Sequence, residues 1–372
     1  MSTWSGTPYF MAEALSGHLG SVVHLGPFSR LPLRFAKIVG QIGHRITGRT
    51  YWGYANRLRA AVHRAEARRR CRGAQPDLVV AAAASAVVAS LPPEVPVIYS
   101  SDATFRLIQG YYPEFTNLSR NSRRMGEQME QSALTRADLV ILPSEWAARS
   151  AIEDYGTDPA KIHVIPFGAN LIDPPSRREV LETAAPHRAP KLLFVGKEWH
   201  RKGGDVAVDT LHMLRAQGIQ ATLSLLGCRP EGVDPSTPGL EILGFLDKSD
   251  SAARARFERA FAEADFLLMP VRAECLGIVF AEAAAHSLPV LSTRTGGVSS
   301  MVSDGETGAL LSPGATGEAF AARIREIMAE PGRHRAMRLA ARARFEQLLN
   351  WDHWGARVAE LAHQMLARRT GG

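Results

Sequence analysis

Short runs rich in Val, Ile and Leu recur along the 372 residues, with stretches of helix-forming sequence between them. Buried parallel strands read as continuous apolar runs, and each parallel pair needs a crossover that is usually a helix. The alternation predicts an α/β protein whose parallel sheets are covered by helices on both faces. The predicted strands are residues 22–25, 77–82, 95–99, 138–143 and 162–166, then 191–195, 221–226, 240–243, 265–269 and 289–292.

A Pro-rich and charged stretch separates the two series of strands, as expected of an interdomain linker. We therefore predict a first domain over residues 1–171, a linker over 172–190 and a second domain over 191–350. The helix-like tail contains Trp351 and Trp354, and residues 351–372 are predicted to form a helix that returns to the first domain.

The first domain begins unusually. Residues 4–9 look like the loop that follows the first strand of a doubly wound domain, but only three residues precede them. Either the true start lies upstream or the domain lacks its usual first strand, and the sequence leaves both open. In either case Gly6 and Thr7 stand in the loop where such a domain binds its ligand.

Composition excludes several classes of protein. Hydrophobic residues at 45% and charged residues at 22% are ordinary for a globular protein, and no apolar run approaches the length of a membrane span. Cys71, Cys228 and Cys275 lie far apart, so neither a disulfide framework nor a zinc site is predicted. Residues 1–10 do not have the pattern of a secretory signal, and we expect a cytoplasmic protein.

The basic character is local. Residues 30–73, here called the basic segment, contain twelve Lys or Arg against one acid, Glu66, whereas the remaining chain is net negative although the whole carries +7. Apolar side chains are interleaved with these cations, which fits a peripheral surface on the inner face of an anionic membrane. An Arg-rich solvated helix fits equally well, and nucleic acid is a weaker third interpretation.

The most informative stretch is residues 271–308. Glu274 and Glu282 lie eight apart, with Gly277 between them and helix-forming residues after it. A helix that begins near Gly277 would direct free N–H groups at a phosphate, and the two carboxylates could accept hydrogen bonds from sugar hydroxyls. Taken alone, both glutamates could equally be solvated acids at a helix end.

A second cluster follows the predicted strand 191–195. The strand ends in Gly196, and Lys197 and Lys202 follow among other cations, which suit a diphosphate at the carboxyl end of a strand. The spacing is not that of a Walker loop, and the G-x-G-x-x-G pattern of a dinucleotide site is absent from the sequence.

Together these residues resemble glycosyltransferase family 4, whose members are retaining nucleotide-sugar enzymes of the GT-B fold. The likeness covers residues 101–354. Its motifs are a strand ending Phe-Val-Gly before a basic residue and a later Lys-Gly, two glutamates with seven residues between them, a Pro-Val turn and paired glycines. Here they are residues 194–197, 202–203, 274–282, 289–290 and 296–297.

The resemblance implies two Rossmann-like domains facing each other across a cleft, with a C-terminal helix that crosses back to the first. It implies that Lys197 and Lys202 hold the donor diphosphate, that Glu274 contacts the donor sugar and that Glu282 binds ribose. Backbone groups between the glutamates would meet phosphate. Gly6 and Thr7 of the first domain are expected to approach the acceptor or the diphosphate from the opposite side. The donor-binding set is completed by Gly196, Leu276, Gly277 and Ile278.

Two departures from the family pattern concern the site. Lys197 stands where the family usually has Arg, which keeps the charge but loses the planar fork. Asp102 stands where many members have a histidine near the reacting sugar, which bears on the identity of the donor more than on the reaction. The candidate catalytic residues are therefore Glu274, Lys202, Lys197 and Asp102.

The expected function is transfer of a sugar from a nucleotide-diphosphate donor to a hydroxyl of a glycan, a lipid-linked or a small-molecule acceptor, as in glycan, glycolipid or exopolysaccharide synthesis. Cations and a helix terminus would stabilise the departing diphosphate, so no metal or other cofactor is expected. The alternatives are an epimerase or phosphorylase on the same fold, a non-catalytic sugar-nucleotide-binding protein and, least favoured, a nucleic-acid-binding protein.

Overall fold

A computed structural model describes residues 6–28, 38, 42–52, 57–182, 189–228, 230, 232–247 and 250–370. Within these residues the strands form two separate parallel sheets, and helices connect most successive strands. The α/β prediction and the GT-B architecture of two facing sheets are confirmed.

The first sheet has four parallel strands in sequential order. They are β1 (Val79–Ala82), β2 (Val97–Ser100), β3 (Leu139–Leu142) and β4 (Ile162–Val164). Every residue of the central strands β2 and β3 is buried, as their unbroken apolar sequence requires, whereas β1 and β4 at the edges are largely half-buried.

The second sheet has six parallel strands in the order β10-β9-β8-β5-β6-β7. The order reverses direction between β5 and β8, and ligands bind in the crevice that such a reversal leaves at the strand ends. The strands are β5 (Lys191–Val195), β6 (Thr222–Leu226), β7 (Leu240–Gly244), β8 (Phe266–Met269), β9 (Val290–Thr293) and β10 (Gly308–Leu311).

Helices surround both sheets. In the first domain they are α1 (Thr7–His18), α2 (Arg57–Ala74), α3 (Ser85–Val88), α4 (Phe105–Ile108), α5 (Arg120–Arg136) and α6 (Glu145–Glu153), with 3-10 turns at Pro113–Phe115 and Pro159–Lys161. The later helices are α7 (Arg177–Glu182), α8 (Trp199–Lys202), α9 (Gly204–Ala216), α10 (Ser251–Glu263), α11 (Ile278–Ala285), α12 (Val298–Met301), α13 (Gly317–Ala329), α14 (Arg333–Gln347) and α15 (Trp351–Thr370).

The chain passes between the domains twice, and the two crossings touch. The Ala169 amide donates to the Leu349 carbonyl at 3.0 Å, and the Trp351 indole N–H donates to Asn170 at 3.1 Å. A Cβ on Gly168 would lie 2.4 Å from the Trp351 nitrogen, so only glycine allows this approach. Beyond the crossing α15 packs on α1, as predicted for a helix that returns to the first domain.

The described part of the predicted linker packs on the second domain. Its helix α7 buries Val180, although the Pro-rich sequence favoured an exposed connection. Two buried arginines of α14 hold its backbone: Arg338 donates to the Val180 carbonyl at 3.0 Å, and Arg342 donates to the Pro175 carbonyl at 2.8 Å. Arginine suits this task because one guanidinium carries five donors.

One predicted strand is wrong and one was missed. Residues 22–25 follow α1 as irregular chain, with Val23 exposed, and the Leu25 carbonyl accepts from Arg70 on α2 instead of from a neighbouring strand. A four-residue apolar run specifies a strand only where a sheet edge is available to pair with it. Strand β10 escaped notice because its Gly-Ala-Leu-Leu sequence has few β-branched residues. Among the described residues before β1, none extends the first sheet.

Candidate functional site

The centre of the candidate site is an ion pair at the carboxyl ends of β5 and β8. The Lys202 ammonium contacts the Glu274 carboxylate, and both side chains are largely buried. Two glycines bring the lysine there. A Cβ on Gly203 (φ 78°) would lie 2.0 Å from the Pro270 carbonyl oxygen, and one on Gly196 would lie 2.9 Å from the Lys202 side chain.

The loop after Glu274 leads directly into α11. Gly277 adopts φ 84° at the N-cap of this helix, and no side chain caps its first amides. Leu276 is buried and Ile278 half-buried, and the contact of their backbone with a phosphate stays a prediction. Glu282 is buried little more than one turn into the helix. The predicted order of Glu274, helix terminus and Glu282 along one edge is therefore present.

Arg201 is a second cation at this centre. It donates to the Ala273 carbonyl at 2.7 Å and lies 3.4 Å from Glu274, while Glu198 binds its other face. Burial alone would lower the pKa of Arg201, but the hydrogen bonds that it donates to Glu198 and the charge of Glu274 raise this pKa above its ordinary value. Arg201 is thus a fixed cation.

Lys197 does not join this cluster. It is exposed, and its Nζ lies 4.7 Å from the ring centroid of Phe245, which is itself 63% exposed just after β7. The ends of β5, β6 and β7 meet here, since the Gly227 amide donates to the Gly244 carbonyl at 2.8 Å. We predict that the nucleotide base binds at this surface, around Gly227 and Phe245. Lys197 lies beside it, and the contact of Lys197 with a diphosphate stays a prediction.

Residues 270–277, between β8 and α11, are here called the donor loop. The first domain reaches this loop through two consecutive tyrosines. The Glu274 amide donates to the Tyr111 hydroxyl at 2.8 Å, and the Cys275 amide donates to the Tyr112 hydroxyl at 2.9 Å. The Tyr111 hydroxyl also hydrogen-bonds Thr295 at 2.9 Å. Sequence reasoning missed both residues, because Gly-Tyr-Tyr-Pro carries no spacing or composition that identifies a contact with residues 163 positions away.

The paired glycines explain how closely the domains approach. A Cβ on Gly296 would lie 2.1 Å from the Glu274 carbonyl oxygen and 2.6 Å from the Tyr111 hydroxyl. A Cβ on Gly297 would lie 2.1 Å from the Cys275 carbonyl oxygen and 3.0 Å from the Ser144 hydroxyl, which caps α6 of the first domain. Any side chain at these positions would push the donor loop from its place.

Asp102 lies after β2, half-buried, near the same loop. Its charge, added to the larger effect of burial, raises the pKa of the Cys275 thiol well above its ordinary value. Burial and the nearby Glu274 charge likewise raise the pKa of Tyr112 far above the usual range, so its hydroxyl keeps its proton. Asp102 therefore acts on the charge balance of the donor loop, and its role near the reacting sugar stays a prediction.

Gly6 and Thr7 lie at the start of α1, beside the crossing between the domains. Gly6 adopts φ 85° before α1, and Thr7 is 1% exposed with its hydroxyl accepting from Asn170 at 3.2 Å. The Thr7 side chain therefore stabilises the crossing between domains, and its predicted contact with substrate stays a prediction.

The described residues contain no group of three or more His, Cys, Asp or Glu side chains placed to hold a metal ion. None of the described helices is long and apolar enough to cross a membrane.

Comparison with known families settles the membership. The profile described as "Glycosyltransferase Family 4" matches residues 10–172, and that described as "Glycosyl transferases group 1" matches residues 189–330. The chain belongs to glycosyltransferase family 4. Each profile covers one domain, so both sheets and the site between them fall within the family.

The chain is also similar to curated proteins of this family. It is 29% identical to the D-inositol 3-phosphate glycosyltransferase of Gordonia bronchialis over 60% of this chain and 52% of the relative. It is 28% identical to the GDP-mannose-dependent alpha-(1-6)-phosphatidylinositol monomannoside mannosyltransferase of Mycolicibacterium smegmatis over 63% of each. The chain thus matches only about half to two thirds of the length of these relatives.

Solved structures share the fold. Sucrose-phosphate synthase from Thermosynechococcus elongatus superposes with a TM-score of 0.62 at 22% identity, covering 83% of this chain and 77% of that one. Anabaena Alr3699/HepE in complex with UDP-glucose gives a TM-score of 0.57 at 19% identity, covering 96% and 93%. At these identities the likeness establishes architecture alone.

Proposed function

We propose that the protein is a retaining glycosyltransferase that moves a sugar from a nucleotide-diphosphate donor to an acceptor hydroxyl. The observation that carries the proposal is the meeting of Lys202, Glu274 and the amino end of α11 at the strand ends of the second domain, directly opposite the first. Family membership and the names of the curated relatives support the same reaction.

The geometry suits departure of a diphosphate. As the bond between the anomeric carbon and the diphosphate oxygen breaks and the bond to the acceptor oxygen forms, negative charge grows on the leaving group. Lys202 and the uncapped amides of α11 would stabilise that charge in a site shielded from water. Glu274 would accept a hydrogen bond from a sugar hydroxyl, and Glu282 from the ribose. We name no nucleophile, and the reaction as proposed needs no metal.

The donor and acceptor are part of the proposal. One fold relative is described in complex with UDP-glucose, and one curated relative is named for GDP-mannose, so uridine and guanosine diphosphates are the first donors to test. Named acceptors among the curated relatives are an inositol phosphate and a phosphatidylinositol mannoside. A polyol phosphate or its lipid-linked form is therefore the acceptor class that we propose.

The first test is a thermal-shift screen of UDP, GDP, ADP and TDP, with Glu282→Ala as control. A ligand at about a hundredfold its Kd stabilises by about 2.7 kcal/mol, which is readily measured. We expect one diphosphate to raise the Tm of the wild type and not that of the variant. Glu274→Ala should then keep the fold and lose sugar transfer. Diphosphate binding with no transfer to any acceptor would instead favour a non-catalytic sugar-nucleotide-binding protein.

We further propose that part of the basic segment holds the protein at the cytoplasmic face of an anionic membrane. Ile42 and Ile46 lie one helical turn apart and are 53% and 77% exposed, with Arg45 and Arg49 exposed beside them. Exposed apolar side chains flanked by arginines are typical of an interfacial helix. The surface is smaller than the sequence indicated, because Arg59 of the same segment is 3% exposed.

Vesicle sedimentation tests this surface. Ile42→Ser with Ile46→Ser should weaken binding to phosphatidylglycerol vesicles, and so should neutralising Arg45 and Arg49. Ile172→Ser, at a residue that is 60% exposed but lies outside the basic segment, should not. Undiminished vesicle binding in both variant pairs would reject the membrane surface. Salt-sensitive binding to DNA in place of vesicles would favour a nucleic-acid partner.

A further inference from the structure

The tyrosine pair, Tyr111 and Tyr112, meets the donor loop at the two peptide groups that flank the Glu274 side chain. One hydroxyl accepts from the Glu274 amide at 2.8 Å and the other from the Cys275 amide at 2.9 Å. Fixing two consecutive amides fixes the peptide planes on both sides of Cα, and with them the direction of the Glu274 carboxylate. Both hydrogen bonds come from the opposite domain, so they exist only while the domains are together.

Ring contacts extend this hold in both directions. The Arg201 guanidinium lies over the Tyr112 ring, 4.7 Å from its centroid, and the same arginine bonds the Ala273 carbonyl. Tyr111 packs against Trp146 of its own domain at 5.4 Å. Within the first domain Trp146 therefore packs against the tyrosine pair, and in the second domain Arg201, the cation next to Lys202, stacks on it.

The residues around the two tyrosine hydrogen bonds are buried and closely packed. Glu274 and Cys275 are 7% and 1% exposed, so water does not replace a lost hydrogen bond there without displacement of the loop. Gly296 has no room for a Cβ between the Glu274 carbonyl and the Tyr111 hydroxyl. Loss of a tyrosine hydroxyl would leave a donor-loop amide unpaired in a tightly packed place.

We propose that Tyr111 and Tyr112 are positioning residues that set the donor loop for sugar transfer, and so make transfer depend on the approach of the two domains. This rests on the proposed function. The predicted diphosphate ligands lie in the second domain, whereas the tyrosine pair comes from the first. Removal of the hydroxyls should therefore lower kcat and leave diphosphate affinity nearly unchanged.

The variants are Tyr111→Phe, Tyr112→Phe and their combination. Tyr155→Phe is the matched control, since its hydroxyl also accepts from a backbone amide, that of Arg106 at 3.0 Å, and donates to Glu127, but within the first domain. Tyr112→Leu, compared with Tyr112→Phe, separates the ring that carries Arg201 from the hydroxyl. Each protein is measured for UDP affinity by calorimetry, for UDP release from UDP-glucose with inositol 3-phosphate, and for amide hydrogen exchange.

The double variant should lose roughly tenfold or more in kcat at nearly constant UDP affinity, taking a few-fold for each hydrogen bond. Amide exchange of a peptide spanning residues 272–277 should accelerate in both single variants and not in Tyr155→Phe. Unchanged exchange in that peptide, or an equal loss of kcat in Tyr155→Phe, would overturn the positioning role. Accelerated exchange in a protein whose wild type binds no nucleoside diphosphate would uphold the contact and reject the proposed function instead.

Discussion

Replacement of Glu274 by glutamine should make a nucleoside diphosphate bind more tightly while it abolishes efficient transfer. In the structure the Lys202 ammonium is engaged by the Glu274 carboxylate, with both side chains largely buried. A diphosphate that binds Lys202 must therefore compete with this carboxylate and is also repelled by it. Glutamine keeps the size and the hydrogen-bonding oxygen of Glu274 but removes the charge.

The size of the effect follows from the geometry. Opposite unit charges about 4 Å apart interact by about 4 kcal/mol at an effective dielectric constant of about 20. The glutamine oxygen still accepts a hydrogen bond from Lys202, and water screens the site when no ligand is bound. Only part of this interaction energy is therefore gained as diphosphate affinity. We expect a gain of about 1–2 kcal/mol, which is a factor of about 5–30 in Kd.

Calorimetric titration with UDP or GDP measures the gain, and Glu198→Gln is the control. Glu198 is a carboxylate of the same site that binds Arg201 and not Lys202, so its removal should change diphosphate affinity less. Transfer by Glu274→Gln should fall, because a sugar hydroxyl loses its hydrogen bond to a charged acceptor. Weaker diphosphate binding by Glu274→Gln than by the wild type would refute the competition.

Three further predictions concern neighbouring features. Phe245→Ala should weaken nucleotide binding several-fold by calorimetry and leave Tm nearly unchanged in thermal melts, because the exposed ring lies beside Lys197 at the predicted base surface. Unchanged affinity would show that the ring does not contact the nucleotide. Gly296→Ala should lower the free energy of unfolding, measured in urea, by more than about 2 kcal/mol and should also lower kcat, because the new Cβ would overlap the Glu274 carbonyl. A variant with near-native stability and kcat would contradict this. Burial raises the pKa of Glu130 to about 7, so the folded state holds the proton of this carboxyl more tightly than the unfolded chain does. The free energy of unfolding should therefore fall by up to about 3 kcal/mol as the pH rises from about 4.5 to 7. Glu130→Gln should flatten that pH dependence, and an identical slope in both proteins would reject it.

Much of the fold could be predicted because the burial of a strand determines the composition of its local sequence. Nine of the predicted runs overlap observed strands, since a strand buried on both faces must be apolar along its length. The run at residues 22–25 has the same local character but no sheet edge beside it, and pairing across distance is not a local property. β10 shows the converse, because a neighbour on β9 makes a strand of a weak sequence.

The candidate site divides in the same way. Glu274, Gly277 and Glu282 were predictable because their spacing on one loop and helix determines how they lie. The partner of Lys202 and the stacking of Lys197 on Phe245 depend on how separate strand ends come together, which spacing does not determine. Tyr111 and Tyr112 act only across the cleft, and no local pattern records such a contact.

The adjoining crossings at Ala169 and Leu349 determine how strong the contact between domains has to be. Because the two covalent connections adjoin and are hydrogen-bonded to each other, the domains remain at a high effective concentration of one another. Association of the tyrosine pair with the donor loop is therefore an intramolecular step, and a few hydrogen bonds are sufficient for it. A contact held by a few hydrogen bonds also opens and re-forms readily, as the proposed transfer would require, because each cycle admits a donor and releases a diphosphate.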